Sequence, residues 1–170
     1  MPRPTHPYVP MARGFVYLTA VIDWASRKVL AHRVAVTLEA CHAVEVLTEA
    51  FNRYGAPDIV NTDQGSQFTA AEFTDLVNSR GCLMSMDGRG AWRDNVFVER
   101  LWRTVKYEEI YLHAYDTVLE AKTGIAKHLD WYNRARPHSS LKTLPGMVRS
   151  PRTPPDEAYL MMSPAYRLVA

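Results

Sequence analysis

At 170 residues and 47% hydrophobic content, the chain is long enough to bury a core, and length favours one domain with at most an appendage. A net charge of +2 with 22% charged residues is compatible with a nucleic-acid partner without arguing for one, since the distribution of charge matters more than its total. No apolar run approaches the ~20 residues of a membrane span, and prolines stand where a signal peptide would carry its apolar stretch, so a cytoplasmic protein without a membrane partner is expected. The two cysteines, Cys41 and Cys82, have no metal-ligand spacing and are expected to be buried free thiols.

The first strongly patterned stretch is FVYLTAVID, Phe15 to Asp23, followed after a short polar connection by VLAHRVAV, Val29 to Val36. Both are rich in β-branched and aromatic residues and predict an antiparallel hairpin. Thr37 is placed to cap a helix with Ala40, Val44, Leu47 and Phe51 at helical spacing, which Gly55 and Pro57 end. A short strand, Asp58 to Asn61, leads Asp63 into the turn TDQGS. Thr69 and Glu72 have capping-box spacing for a helix that buries Phe73, Leu76 and Val77 and stops at Gly81. Cys82 to Met86 is a further strand, followed by the loop DGRGAW. Asp94 can cap a helix to about Glu108, and Thr117 with Glu120 begins another that runs to Arg136, where Pro137 ends it. Strands first, then helices alternating with short strands, predict an α/β fold with a mixed sheet flanked by helices. From 143 to 170 the chain is punctuated by prolines without a sustained period and reads as a tail or docking arm, which leaves 1–142 as the core.

Two carboxylates carry the chemical interest. Asp63 follows a short apolar strand, so it would emerge at the C-terminal edge of the sheet, where α/β sites lie; it also suits a turn of the Asx type. Glu99 lies one turn into its helix. Phe97, Val98, Leu101, Trp102 and Val105 cover one face there, and Glu99, Arg103 and Lys106 the other, a pattern that an ordinary solvated face also produces.

Three ordered motifs, NTDQGSQFTAAEF, GRGAWRDNVFVERLWRTVKYEE and YNRARPHSSL, resemble the catalytic core of bacterial insertion-sequence transposases, relatives of retroviral integrases. The resemblance spans about Phe15 to Leu141, and the 35 residues between Asp63 and Glu99 match the spacing of that superfamily. It implies an RNase H-like fold in which three acids, Asp, Asp and Glu, hold two Mg²⁺ or Mn²⁺ ions for cutting and joining DNA strands. Asp63 would be the second acid and Glu99 the third. The residue types fit the chemistry, because Mg²⁺ is a hard ion that takes carboxylate oxygen, and paired ions serve both oxygens of an in-line displacement at phosphorus. Arg103 and Lys106 would meet DNA phosphates, Gln64 and Asn95 would touch substrate, and the segment from Asn133 to His138 would terminate a helix or contact DNA. Homo-oligomers, or mixed oligomers with an intact transposase, are the implied assemblies.

The first acid is missing. In the resembled family it lies in a stretch like DITYIPM; THPYVPM matches at Tyr8, Pro10 and Met11 and sets Thr5 in the place of the aspartate. Pro7 lacks an amide donor that a strand with neighbours on both sides needs. Asp23, across the hairpin, is the one nearby substitute, and a structural role at the turn suits it better. KTLPGMVRSPR, before TPPDEAYL, and the lack of N-terminal DNA-binding helices suggest a shortened or frameshifted element. The expectation is a transposase core with impaired catalysis; the alternative is a non-catalytic remnant that binds DNA or joins an intact transposase.

Overall fold

The computed structural model describes residues 9–10, 14–62, 65–86, 96–136 and 159–163; side chains of residues 9–10, 96–97 and 159–163 are outside the description. Two elements form the predicted hairpin, β2 (Phe15–Asp23) and β3 (Val29–Ala35), paired antiparallel from Tyr17 with Ala35 to Ile22 with Val29. A two-residue strand, β1 (Val9–Pro10), pairs antiparallel with the start of β2. In the hairpin turn Arg27 takes a positive φ of 62°, and the Arg27 amide donates to the Asp23 carbonyl at 2.8 Å.

Strand β2 is buried on both faces and divides the core. Its even positions, Val16, Leu18, Ala20 and Ile22, join one apolar cluster, and Val21 joins the other, as the period of two in a strand requires. The cluster on the odd side is made with α1 (Ala40–Tyr54), α2 (Ser66–Thr69) and α3 (Ala71–Ser79). Helix α1 buries Ala43, Val46, Leu47, Ala50 and Phe51 and ends at Gly55, whose φ of 86° brings its amide to the Phe51 carbonyl at 2.9 Å. Two expected caps fail. The N-cap of α1 is Glu39, and Thr37 Oγ1 lies 3.2 Å from His42 Nε2 instead. Thr69 ends α2, donating to the Ser66 carbonyl, so Ala70 precedes α3. In both places a nearer partner satisfies the hydroxyl. Cys82 is buried as expected, but Cys41 is exposed, because it lies on the solvent side of α1.

The cluster on the even side is made with α4 (Val96–Val105) and α5 (Val118–Ala135). The helix expected to run unbroken to Glu108 changes pitch: Lys106–Ile110 is a π-helix, which then turns at Tyr111. The wider turn directs Glu109 inward, where Tyr115 donates to its Oε1 at 2.5 Å and His128 Nδ1 lies 3.7 Å from Oε2. Gly124 of α5 leaves room for this contact, since a Cβ there would sit 2.5 Å from the Tyr115 hydroxyl. The predicted capping box of Thr117 and Glu120 is present. Near the other end of α5, Asn133 accepts from the Val29 amide and donates to the Val29 carbonyl, both at 2.9 Å, tying the helix to β3.

Strands β4 (Ile59–Thr62) and β5 (Leu83–Met86) are parallel, Ile59 with Leu83 to Thr62 with Met86. A strand that the sequence pattern did not suggest, β6 (Tyr159–Ser163), lies between the hairpin and this pair. It runs antiparallel to β2 and parallel to β4, giving the order β1-β2-β6-β4-β5 with β3 on the outer side of β2. The proline-bearing tail thus supplies the centre of a mixed sheet.

Burial lowers the pKa of His128 despite the opposing field of Glu109 and Glu108, with Arg136 and His113 adding to the fall, and burial also lowers that of His32. A depressed histidine contributes nothing adverse above the unfolded value near 6.5; below it the unfolded chain takes up the proton first, so stability falls. The urea midpoint is expected to drop between pH 7.5 and pH 5.5, and His128→Gln to reduce that drop, leaving the share due to His32.

Candidate active site

Strand β4 delivers the first of the sequence-predicted acids. Asn61 and Thr62 at its end are buried, 4% and 1% exposed, and Asp63 follows directly. Asp63 itself lies outside the described residues, as do Gln64, Asn95 and Thr5. Just beyond, the buried Gln67 side chain folds back over Gly65: a Cβ at Gly65 would stand 2.6 Å from Gln67 Nε2. The close approach, not the backbone, is what a side chain here would disturb, since the φ of −62° suits any residue and the Gln67 amide would have to move aside. The sequence reading did not single out this pair, although the DQGSQ spacing carried the signal.

Helix α4 carries Glu99, the other sequence-predicted acid. Its apolar face buries Val98, Leu101, Trp102 and Val105 beneath the sheet and α5, which fixes the opposite face outward. Glu99 is exposed there, and among the described residues its carboxylate has no hydrogen-bond or ion-pair partner. Arg103, one turn on, is likewise exposed and unpaired among the described residues. Lys106 is only half exposed, and its ammonium lies over the ring of Tyr111, 5.3 Å from the centroid. The two cations therefore differ: Arg103 is open to a phosphate, whereas Lys106 is partly engaged.

Asp23 sits elsewhere. It is 7% exposed, its Oδ2 accepts from the Ser26 amide at 3.1 Å and from the Ser26 hydroxyl, and it closes the β2–β3 turn. Asn133 and Arg136 have structural partners too, Val29 for the first and Glu108 for the second. Of the tryptophans, Trp102 is buried and Trp24 packs against the core, while Trp131 is 46% exposed beside His128; Trp92, Pro137 and His138 lie outside the described residues.

The donor set suits a hard cation in kind: Glu99 offers free carboxylate oxygen on the surface, and Asp63 is the residue after a buried strand end. Among the described residues no three His, Cys, Asp or Glu side chains gather as a metal cluster.

With this geometry in place, comparison with known proteins assigns the class. An integrase core domain model matches residues 5–91, and a second integrase core domain model matches residues 80–145. The chain belongs to the integrase core domain family. Its sequence relatives are insertion-sequence transposases. The transposase for IS904 of Lactococcus lactis is 31% identical over 79% of this chain and 54% of its own length. The transposase for IS629 of Shigella sonnei is 26% identical over 89% and 48%, and transposase InsF for IS3A of Escherichia coli is 29% identical over 78% and 47%. The chain spans about half the length of these curated relatives. Among solved structures, a chain of the simian T-cell lymphotropic virus intasome in complex with a PP2A regulatory subunit superposes with a TM-score of 0.72, covering 87% of this chain and 53% of that one at 18% identity. The catalytic core domain of BIV integrase gives 0.62 over 83% and 88% at 17% identity. The HTLV-2 integrase catalytic core domain, solved in complex with magnesium, gives 0.53 over 78% and 83% at 20% identity. These likenesses establish the RNase H-like mixed sheet as the fold. No helix among the described residues is long and apolar enough to cross a membrane.

The turn bonding of Asp23 gives a direct check. Asp23→Ala and Ser26→Ala are each expected to cost about 1–3 kcal/mol, and the double variant little more than either alone, because both remove one shared interaction. Chemical denaturation of the three variants measures the coupling.

Proposed function

We propose that this chain is the strand-cleaving and strand-joining core of an insertion-sequence transposase, acting on DNA through Asp63 and Glu99, with catalysis impaired because Thr5 stands where the family's first aspartate is expected. The observation that carries the reading is the outer face of α4. There Glu99 presents a carboxylate without a partner among the described residues, one turn from Arg103, which has none among them either, both held outward by a buried apolar face on a helix packed against the sheet. A carboxylate next to an open guanidinium suits a phosphodiester approached by a cation, the arginine taking the phosphate oxygens and the acid the metal.

Asp63 and Glu99 would hold Mg²⁺ or Mn²⁺, two ions in a complete site, and the ions supply activation of the attacking oxygen and stabilisation of the leaving oxygen at phosphorus. The chain's own residues position the substrate. Arg103 anchors the backbone of the strand, Lys106 adds charge at the edge of the contact, and Gln64 and Asn95 flank the acids. Asp23 is not a ligand in this reading, since the Ser26 amide and hydroxyl both donate to its Oδ2 in the turn. DNA is the partner, with self-association or association with an intact transposase as the assembly. Exposed Tyr107, Tyr111, Leu112 and Leu119 offer apolar surface for it.

A non-catalytic role in binding DNA or an intact transposase is the second reading, favoured by the hydroxyl at position 5. Nicking of an end-bearing oligonucleotide in Mn²⁺ separates the two. Weak nicking that drops to background in Asp63→Ala and Glu99→Ala supports the enzyme. No nicking, with salt-sensitive DNA retention, supports the remnant, and nicking that survives both substitutions rejects these acids. In either case Arg103→Ala is expected to lower the slope of log K against log salt by about 0.9, the share of one phosphate contact, in a fluorescence anisotropy titration.

A further inference from the structure

The exposed face of α4 continues into the π-helical segment that follows it. Glu99, Arg103 and Tyr107 stand at successive intervals of four residues and so lie along one line of the helix, with Arg100 and Lys106 flanking it. At the rise of a helix the line runs roughly 12 Å from the carboxylate to the tyrosine. Arg100 and Arg103 are exposed, and neither has an ion-pair partner among the described residues. The next acids in the run are withdrawn from this face: Glu108 pairs with Arg136, and Glu109 turns inward to Tyr115 and His128. Beyond Glu99 the stripe therefore carries cations, and it ends on aromatic rings.

Those rings are Tyr107 and Tyr111, 58% and 51% exposed. Single exposed aromatics are ordinary, but these two are built into a unit. They meet edge to face, centroids 5.3 Å apart at 80°, and the Lys106 ammonium lies over the Tyr111 ring. An edge-to-face contact occupies at most one face of either ring, so Tyr107 keeps at least one flat face clear of Tyr111. The segment beneath them is anchored by the buried Ile110 and by the contact of Glu109 with Tyr115. A ring held in this way loses little further freedom when a flat ligand settles on it. Cations that follow a phosphate backbone and lead onto an open aromatic face are the means by which proteins hold single-stranded nucleic acid, whereas the bases inside a duplex are already stacked on one another.

We propose that Tyr107 is a stacking platform for an unpaired base, next to phosphates held by Arg100 and Arg103, so that the chain prefers a DNA end with a single-stranded overhang to a closed duplex. The inference rests on the reading of the outer face of α4 as the one that meets DNA, and it adds the form of DNA that this face selects. It leaves Leu112 and Leu119 as the apolar surface for assembly.

Fluorescence anisotropy on the full-length chain tests it, with two duplexes of equal length, one carrying a short overhang and one closed by hairpin loops at both ends. The parent chain is expected to bind the overhang duplex at least about fivefold more tightly. Tyr107→Ala is expected to abolish that preference without changing the slope of log K against log salt, and Tyr107→Phe, which keeps the ring, to retain it. No preference in the parent chain, or one that survives Tyr107→Ala, overturns the inference, and a changed sedimentation velocity in that variant then gives the tyrosine pair to self-association. A loss in Tyr107→Phe equal to that in Tyr107→Ala assigns the effect to the hydroxyl and overturns stacking as well. In each of these cases a slope lowered by Arg103→Ala leaves the DNA-facing reading of α4 standing. A chain that binds neither duplex, or a slope that Arg103→Ala leaves unchanged, rejects that reading and the inference with it.

Discussion

The fold depends on the pairing of Tyr159–Ser163 along both of its edges. Strands β2 and β4 do not pair with each other; each pairs with β6, antiparallel on one side and parallel on the other. The hairpin with its neighbour β1 and the parallel pair β4–β5 are thereby joined into one sheet. A strand in that place must satisfy two ladders at once, which excludes proline and favours an apolar segment buried on both faces. Position and composition agree, since the five residues of β6 interrupt a tail that is otherwise rich in prolines.

From this centre the two apolar clusters follow. Alternation along β2 sends Ala20 and Ile22 toward α4 and α5, and Val21 toward α1 and α3. The outward face of α4 is set by what its inward face buries, so the exposure of Glu99 and Arg103 is a consequence of packing at Val98, Leu101, Trp102 and Val105. The π-helical segment after α4 adds a second constraint, since the inward turn of Glu109 to Tyr115 and His128 ties the end of α4 to α5 through a space that only Gly124 leaves open. The helix bearing Glu99 is thus fixed at both ends of its run, by apolar contact with the sheet and by a buried polar cluster.

The chemistry of the site reads as a division of labour among carboxylates. Asp23 is spent on its turn, Glu109 on its tyrosine, Glu108 on Arg136, and Glu120 on the cap of α5. Glu99 has no such employment among the described residues. Among the described residues no cation or amide claims this carboxylate, and Arg103, one turn on, is likewise exposed.

Much of this was determined by sequence alone. The β2–β3 hairpin, the apolar stripe of α1 and its stop at Gly55, the split faces of α4 and the capping box of α5 are all local, set by period and by residues within a turn of one another. The ordered motifs around Asp63 and Glu99 likewise made the family legible. What lay beyond sequence was long-range or contested. Thr37 and Thr69 had the chemistry of caps but found other partners, and Asn133 gave no hint that it would clasp Val29 from 104 residues away. Above all, nothing local marks Tyr159–Ser163 as the central strand, because five residues of that kind become a strand only when two open edges, assembled from distant parts of the chain, stand on either side to receive their amides.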